Sequence, residues 1–367
     1  MIGNGYGNSS FLGTHGILAR SSSGGVPPAN TVAPVISGTQ VVGSTLTSTT
    51  GTWIGTAPIT YTYQWYRGAT LISGATSSTY VLVQADAGNT SNITCKVTGT
   101  NAFGNATATS NTLAQIFDFD ANAFITSATI TDTTQKAAIN TLVVDLKGYG
   151  VWTKASMIHP YVGGTSTSTS YNLKNTSQFQ ISWVGGWTWD ANGVKGNAVN
   201  SYGNTGFNFS TQISSVNVFS AALYTNQYTT GGVDFGADNN SNWYLAVKSP
   251  VFGTNVGAFA AASPVTYSDT TGLGFYTAVK STNPIPGASN NVIYKNGSSV
   301  LSVANPSGTL YNGNVYIGGL NRNGSLLLPT NIRYAFSAIF NASLTATEAA
   351  NLYTAVQAFQ TTLGRQI

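Results

Sequence analysis

Groups able to move protons or attack a carbonyl are few in these 367 residues. The histidines are His15 and His159, so a Ser-His-Asp or Cys-His arrangement would depend on His159, which precedes Pro160. Proton transfer needs bonded partners around the imidazole, and nothing beside His159 announces them. Glu348 is the only glutamate and Cys95 the only cysteine. Glycoside hydrolysis by paired carboxyls needs two of them about 5–10 Å apart. That leaves Asp118 with Asp120, and Asp234 with Asp238. The first pair flanks Phe119 at a helix entry, where aspartate serves as a cap. The second surrounds Gly236 in VDFGADNN, a turn-like run. The sequence therefore predicts no catalytic residue and a non-enzymatic chain.

Binding chemistry is better represented. Trp183-Val-Gly-Gly-Trp-Thr-Trp189 gathers aromatics, with Trp187 and Trp189 on one face of a strand and Asp190 and Asn192 in the loop beyond. Aromatic faces beside Asn and Asp oxygens can stack on a pyranose and hold its hydroxyls. Trp243 and Tyr244, after an Asn-rich turn, form a second such set. The expected sugar ligands are thus Trp187, Trp189, Asp190, Asn192, Trp243 and Tyr244, although the same rings could fill a core. Asp238, Asn239 and Asn240 offer oxygens dense enough for calcium. Such residues also turn strands without any ion. Calcium is the one cofactor left open.

Composition sets the surroundings. Only 7% of residues are charged, and Gly, Ser, Thr, Asn and aromatics take their place. A surface made polar by hydroxyls and amides suits an all-β exterior protein. The net charge of +4 is dispersed, no two Lys or Arg lying closer than seven positions, so no basic run tracks phosphates and no nucleic-acid partner is expected. A single cysteine excludes an intrachain disulfide. The start, MIGNGYGNSSFLGTHG, has neither a basic region nor an apolar run of a signal peptide, and no stretch approaches ~20 apolar residues for membrane insertion. Such a chain is expected on a virus particle assembled in a host cytoplasm.

Four parts follow along the chain. Residues 1–30 are a low-complexity arm with too little apolar surface to fold alone. Its patch Phe11, Leu12, Ile17 and Leu18 is the expected anchor on other subunits of an assembly. Residues 31–115 carry some seven short strands, with Trp65 in YTYQWY and Cys95 in ITCKV. Residues 116–160 break the pattern: Thr131 or Asp132 caps a helix over 135–147 that Gly148 ends, and FDFDANAFI makes a shorter turn before it. From 161 to 367 strands return, closed by a helix with a Thr345/Glu348 capping box, an Ala349-Leu352-Tyr353-Val356-Phe359 face and a stop at Gly364. Both helices are expected to pack on the outside of the sandwich or on each other.

Two of these parts resemble known families. Residues 31–115 resemble the immunoglobulin-like repeats of bacterial surface and phage structural proteins, with Trp65 as the core tryptophan and Cys95 at the second cysteine position. Leu46 stands where the other cysteine would be, so apolar packing replaces the disulfide. The hairpin NVIYKNGSSVLSV, with Asn296-Gly297 at a type I′ turn, is followed by NVYIGG. With Gly193-Val-Lys-Gly-Asn-Ala upstream, it resembles concanavalin A-like lectin domains of the laminin-G type. Related glycosidases use an E-x-D-x-x-E strand, which this chain lacks. The resemblance implies an all-β chain with an extended arm, an immunoglobulin-like sandwich, and a concanavalin A-like jelly roll with two accessory helices. It also implies a homo-oligomeric bacteriophage head fibre, capsid decoration or tail fibre that presents a lectin-like domain to host-surface glycans. A secreted bacterial adhesin is the alternative, and a polysaccharide depolymerase a further one.

Overall fold

The structure, a computed structural model, describes residues 24–215, 218–227, 232–238, 243–249, 255–258, 265–269, 271–282, 288–306 and 312–367. The fold is all-β with a few helices, as the strand spacing predicts. The arm residues Phe11, Leu12, Ile17 and Leu18 lie outside the described residues, as do Asn239 and Asn240. Among the described residues no helix is long and apolar enough to cross a membrane.

The N-terminal sandwich pairs a four-stranded sheet, centred on Thr60–Arg67 and Ile93–Asn101, with a three-stranded sheet formed by Ile36–Ser37, Thr45–Ser48 and Thr79–Val81. Trp65 lies directly across from Cys95 in register, and both are buried with Leu46. Alternation places these side chains inward, because successive residues of a strand face opposite sides. The Cys95 thiol is pushed up by burial.

The larger unit is built in three layers. Its central sheet runs in the order Thr188–Asp190, Gly193–Lys195, Arg333–Phe340, Phe219–Gln227, Gly274–Thr282, Ala288–Lys295 and Ser298–Pro306, with Ala155–His159 also paired to Arg333–Phe340. One face meets a second sheet that includes Ser182–Val184, Tyr202–Asn208, Asn314–Ile317 and Phe235–Asp238. Between the sheets lie Phe207, Leu223, Tyr276, Ile317 and Ile339. The other face carries Tyr224, Phe275, Phe336 and Phe340, which pack on the helices. Burial on both faces explains why Phe219–Gln227 and Arg333–Phe340 read as nearly continuous apolar runs.

The helices form where the sequence places them, with two differences. Helix Thr133–Gly148 is capped by Asp132, whose carboxylate accepts from the Gln135 N–H at 2.7 Å. It runs through Gly148, and the left-handed residue after it is Gly150 (φ 72°). Helix Ala346–Thr362 keeps the Thr345/Glu348 box and stops at Gly364 (φ 67°). The second difference concerns 116–160, expected as a connector. Helices Phe119–Ser127 and Thr133–Gly148 share one apolar cluster with Ala346–Thr362 and the sheet, and Ala155–His159 is itself a sheet strand. The two longer helices thus pack on the outer face of the sheet and on each other, as their apolar stripes predict.

The hairpin at Asn296-Gly297 has φ of 48° and 78°, the positive pair a type I′ turn requires. Beneath the adjoining loop, Asp269 accepts from Lys295 Nζ at 2.7 Å, Thr271 N at 2.8 Å and the Tyr276 hydroxyl. Those bonds outweigh burial and hold its pKa well below the carboxylate range.

Candidate polar binding site

The site stands where one edge of the central sheet meets the tail after helix Ala346–Thr362. Thr188–Asp190 and Gly193–Lys195 form a tight hairpin with Asp190 opposite Gly193. The Asp190 carboxylate accepts from Asn192 N at 2.7 Å, which closes the turn, and also binds the Arg333 guanidinium. Gly193 (φ 119°) passes so near the neighbouring strand that a Cβ would lie 2.1 Å from Tyr334 O. Only glycine lets the hairpin dock at this edge.

Three further side chains complete the wall. Arg333 Nε donates to Gln227 Oε1 at 3.2 Å, and Asn226 Nδ2 donates to Asn192 O at 3.0 Å. Arg365 is 4% exposed and donates to Gln360 Oε1 (2.5 Å), Tyr161 O (2.9 Å), Pro160 O (2.8 Å) and Ala335 O (3.1 Å). Burial lowers its pKa to about 9. These bonds pin the tail, and Ile367 N adds a 3.0 Å bond to the Tyr224 hydroxyl. The result is a pocket of about 300 Å³ lined by Asn192, Asn226, Gln227, Arg333 and residues 365–367.

One atom in this wall lacks what its chemistry requires. Asn226 Oδ1 is buried without a hydrogen-bond donor, although the same amide is fixed through its nitrogen. A buried carbonyl oxygen left unpaired costs about 1–3 kcal/mol.

Of the residues the sequence singles out, Asp190 and Asn192 are brought to this pocket, one holding Arg333 and the other lining the wall. Trp187 is not. It is 8% exposed, and its ring lies in the core, 4.6 Å from Trp183 edge to face. Its indole N–H donates to Val184 O at 3.0 Å and Tyr202 O at 3.3 Å. The expectation of a sugar-stacking face on Trp187 is corrected, since that ring fills the gap between the sheets. Trp189 packs half-buried on the same cluster, and its buried Nε1 lacks an acceptor. Trp243 and Tyr244 begin strand Trp243–Ser249, but their side chains lie outside the described residues, as does that of Asp238. The calcium expectation on Asp238, Asn239 and Asn240 therefore falls outside what is described. Among the described residues no group of three or more His, Cys, Asp or Glu gathers to hold a metal.

The carboxylates weighed for hydrolysis are engaged elsewhere. Asp118 and Asp120 both bind Lys147 Nζ, at 2.8 and 2.7 Å. Asp234 is buried between the sheets and accepts from the Tyr334 hydroxyl at 2.7 Å. His159 is fully buried against Tyr161, and desolvation pushes its imidazole down to about 3. The backbone of Phe179 and Ser170 offsets part of that shift without completing a hydrogen bond.

Sequence reasoning missed Asn226, Gln227, Arg333 and Arg365. Each lies at a strand end or in the tail, and no local pattern distinguishes it.

No protein-family model and no curated protein matches the chain. Solved structures do. Domain 4 of AbnA, a GH43 extracellular arabinanase from Geobacillus stearothermophilus in complex with arabinotriose, is 18% identical over 54% of this chain and 98% of that one, with a TM-score of 0.39. A Trypanosoma rangeli sialidase in complex with 2,3-difluorosialic acid is 12% identical over 86% of this chain and 46% of its own, also at 0.39. The NanB sialidase from Streptococcus pneumoniae is 13% identical, covering 39% of this chain and 25% of that one, at 0.28. The chain spans less than half the length of these sialidases. The matched proteins are carbohydrate-active, and they correct the expectation of a non-enzymatic chain. The scarcity of paired carboxylates is no ground for excluding catalysis.

Proposed function

We propose that this chain is a carbohydrate-binding protein whose C-terminal unit takes glycan hydroxyls in the pocket between Asn192 and the tail. The observation that carries this reading is the buried, unpaired Asn226 Oδ1 in a wall that is mostly amides and guanidinium groups, with Ile367 beside them. A ligand rich in hydroxyls, each both donor and acceptor, matches such a wall better than an apolar or a strongly charged one. The setting we infer is the surface of a bacteriophage particle, with the arm as anchor and the chain present in several copies. Its support is the sequence: few charges, a low-complexity arm, and an immunoglobulin-like resemblance ahead of a lectin-like one.

A glycan array probed with the full chain and with Asn226→Ala tests the binding. Saturable signal that falls in the folded variant supports the site, and signal unchanged by the substitution overturns it. Antibodies against the chain should label purified particles, and unlabelled particles would overturn the setting.

A further inference from the structure

A second pocket, of about 180 Å³, is lined by residues close in the chain to those of the first, Ala191 beside Asn192 and Leu363 just before Arg365. The hairpin tip sends Asn192 into one and Ala191 into the other. The tail supplies Arg365 to Ile367 on one side and Thr362 and Leu363 on the other. The turn that bonds Asp190 to Asn192 N thus sets two adjacent residues toward two adjacent hollows.

The hollows differ in chemistry. The second is lined by the apolar Val162, Leu363 and Ala191 together with Asp132, Thr134 and Gln135 around the start of helix Thr133–Gly148 and Thr362 from the final helix. Gln135 is held in place, its Oε1 accepting from Gly163 N at 2.9 Å and its own N–H donating to Asp132. Small-molecule sites generally occupy about 300–1,000 Å³. The first hollow sits at the bottom of that range and the second below it, too small to retain a ligand alone. Side by side they accommodate something longer. A pyranose ring has a hydroxyl-rich edge and a C–H face, which suit the amide wall and the apolar Val162 and Leu363 respectively.

Resting on the carbohydrate reading above, we propose that the ligand is an oligosaccharide chain, with one unit in the Asn226 pocket and a linked unit over Val162 and Leu363. Linking the units makes the second contact intramolecular, so affinity rises with the first added unit and then levels off.

The test is calorimetric titration of the full chain with mono-, di-, tri- and tetrasaccharides of one array-positive series. The expected result is a gain of about tenfold from one unit to two or three, the equivalent of about 1.4 kcal/mol of added contact, and little beyond. Thr134→Trp, an exposed substitution that fills the second hollow, should erase that gain and leave monosaccharide affinity unchanged. Gln135→Ala should reduce it in part, and circular dichroism checks both folds. Affinity independent of chain length overturns the two-unit site alone. So does a Thr134→Trp variant that keeps the full gain. Failure of every length to bind overturns the carbohydrate reading as well, and the two failures are thereby told apart.

Discussion

Asn226 Nδ2 donates to the backbone oxygen of Asn192 at 3.0 Å, joining the end of strand Phe219–Gln227 to the hairpin tip, while Oδ1 of the same amide stays buried and unpaired. The nitrogen fixes the side chain, and the oxygen, which has no donor, is the atom we propose a ligand hydroxyl engages. Asn226→Ala should lower glycan affinity about tenfold, the worth of one hydrogen bond of about 1–1.5 kcal/mol. The melting temperature should change little, because the lost bond lies at a part-exposed strand end. A large fall in melting temperature would make the residue structural and remove it from the site.

Arg365 is expected to hold the tail. Its replacement by Met leaves Tyr161 O, Pro160 O and Gln360 Oε1 without this donor inside the protein, while Ala335 O keeps its bond from Gln360 Nε2. At about 1 kcal/mol or more for each buried acceptor, the loss should reach about 3–5 kcal/mol in urea unfolding. Arg365→Lys should recover only part of it, since a single ammonium cannot reach the fork of acceptors that a guanidinium spans. Full stability in Arg365→Met would contradict this role.

His159 predicts a pH dependence. Its pKa falls from 6.5 in the open chain to about 3 in the fold, so the unfolded state binds the proton first. Stability from keeping the imidazole neutral is complete above 6.5 and is lost progressively as pH falls toward 3. The slope should approach about 1.4 kcal/mol per pH unit in that window. In a folded His159→Phe variant this component should vanish, so the difference between the two unfolding curves against pH isolates it. Parallel curves would show that the imidazole takes up its proton without unfolding.

Trp187 is expected to answer to packing rather than to sugar. Gly318 has φ of 77°, and a Cβ there would come within 2.7 Å of the Trp187 ring. Gly318→Ala should therefore cost about 1–3 kcal/mol through backbone strain and displacement of the indole. Trp187→Ala should cost about 3–5 kcal/mol, as removal of a buried aromatic does. Chemical denaturation followed by far-ultraviolet circular dichroism measures both. A Trp187→Ala variant of unchanged stability that lost glycan binding would return the ring to the ligand.

Short-range chemistry was legible in the sequence. The Asn296-Gly297 turn, the Thr345/Glu348 box and the helix expected over 135–147 each rest on neighbours a few residues apart or on apolar periodicity. Such preferences are carried by the local chain, so they survive without knowledge of the fold. Which face of a strand is buried is a different question. The Trp187 ring could stack on a ligand or fill a core by its type alone, and only the docking of the second sheet, with Gly318 beneath it, decided for the core.

The pocket is further still from any local signal. It needs Asn192, Asn226, Arg333 and Arg365 on one edge, residues far apart in the chain that meet because Gly193–Lys195 and Phe219–Gln227 flank Arg333–Phe340 and the final helix returns the tail across the sheet. Sheet order is set by the total burial of many side chains at once, and no short window contains that sum. The sequence by itself determined an all-β chain, its helices and turns, and a surface of amides and hydroxyls. Only the tertiary structure decided that Asn226, among the residues of this pocket, keeps an amide oxygen without a donor.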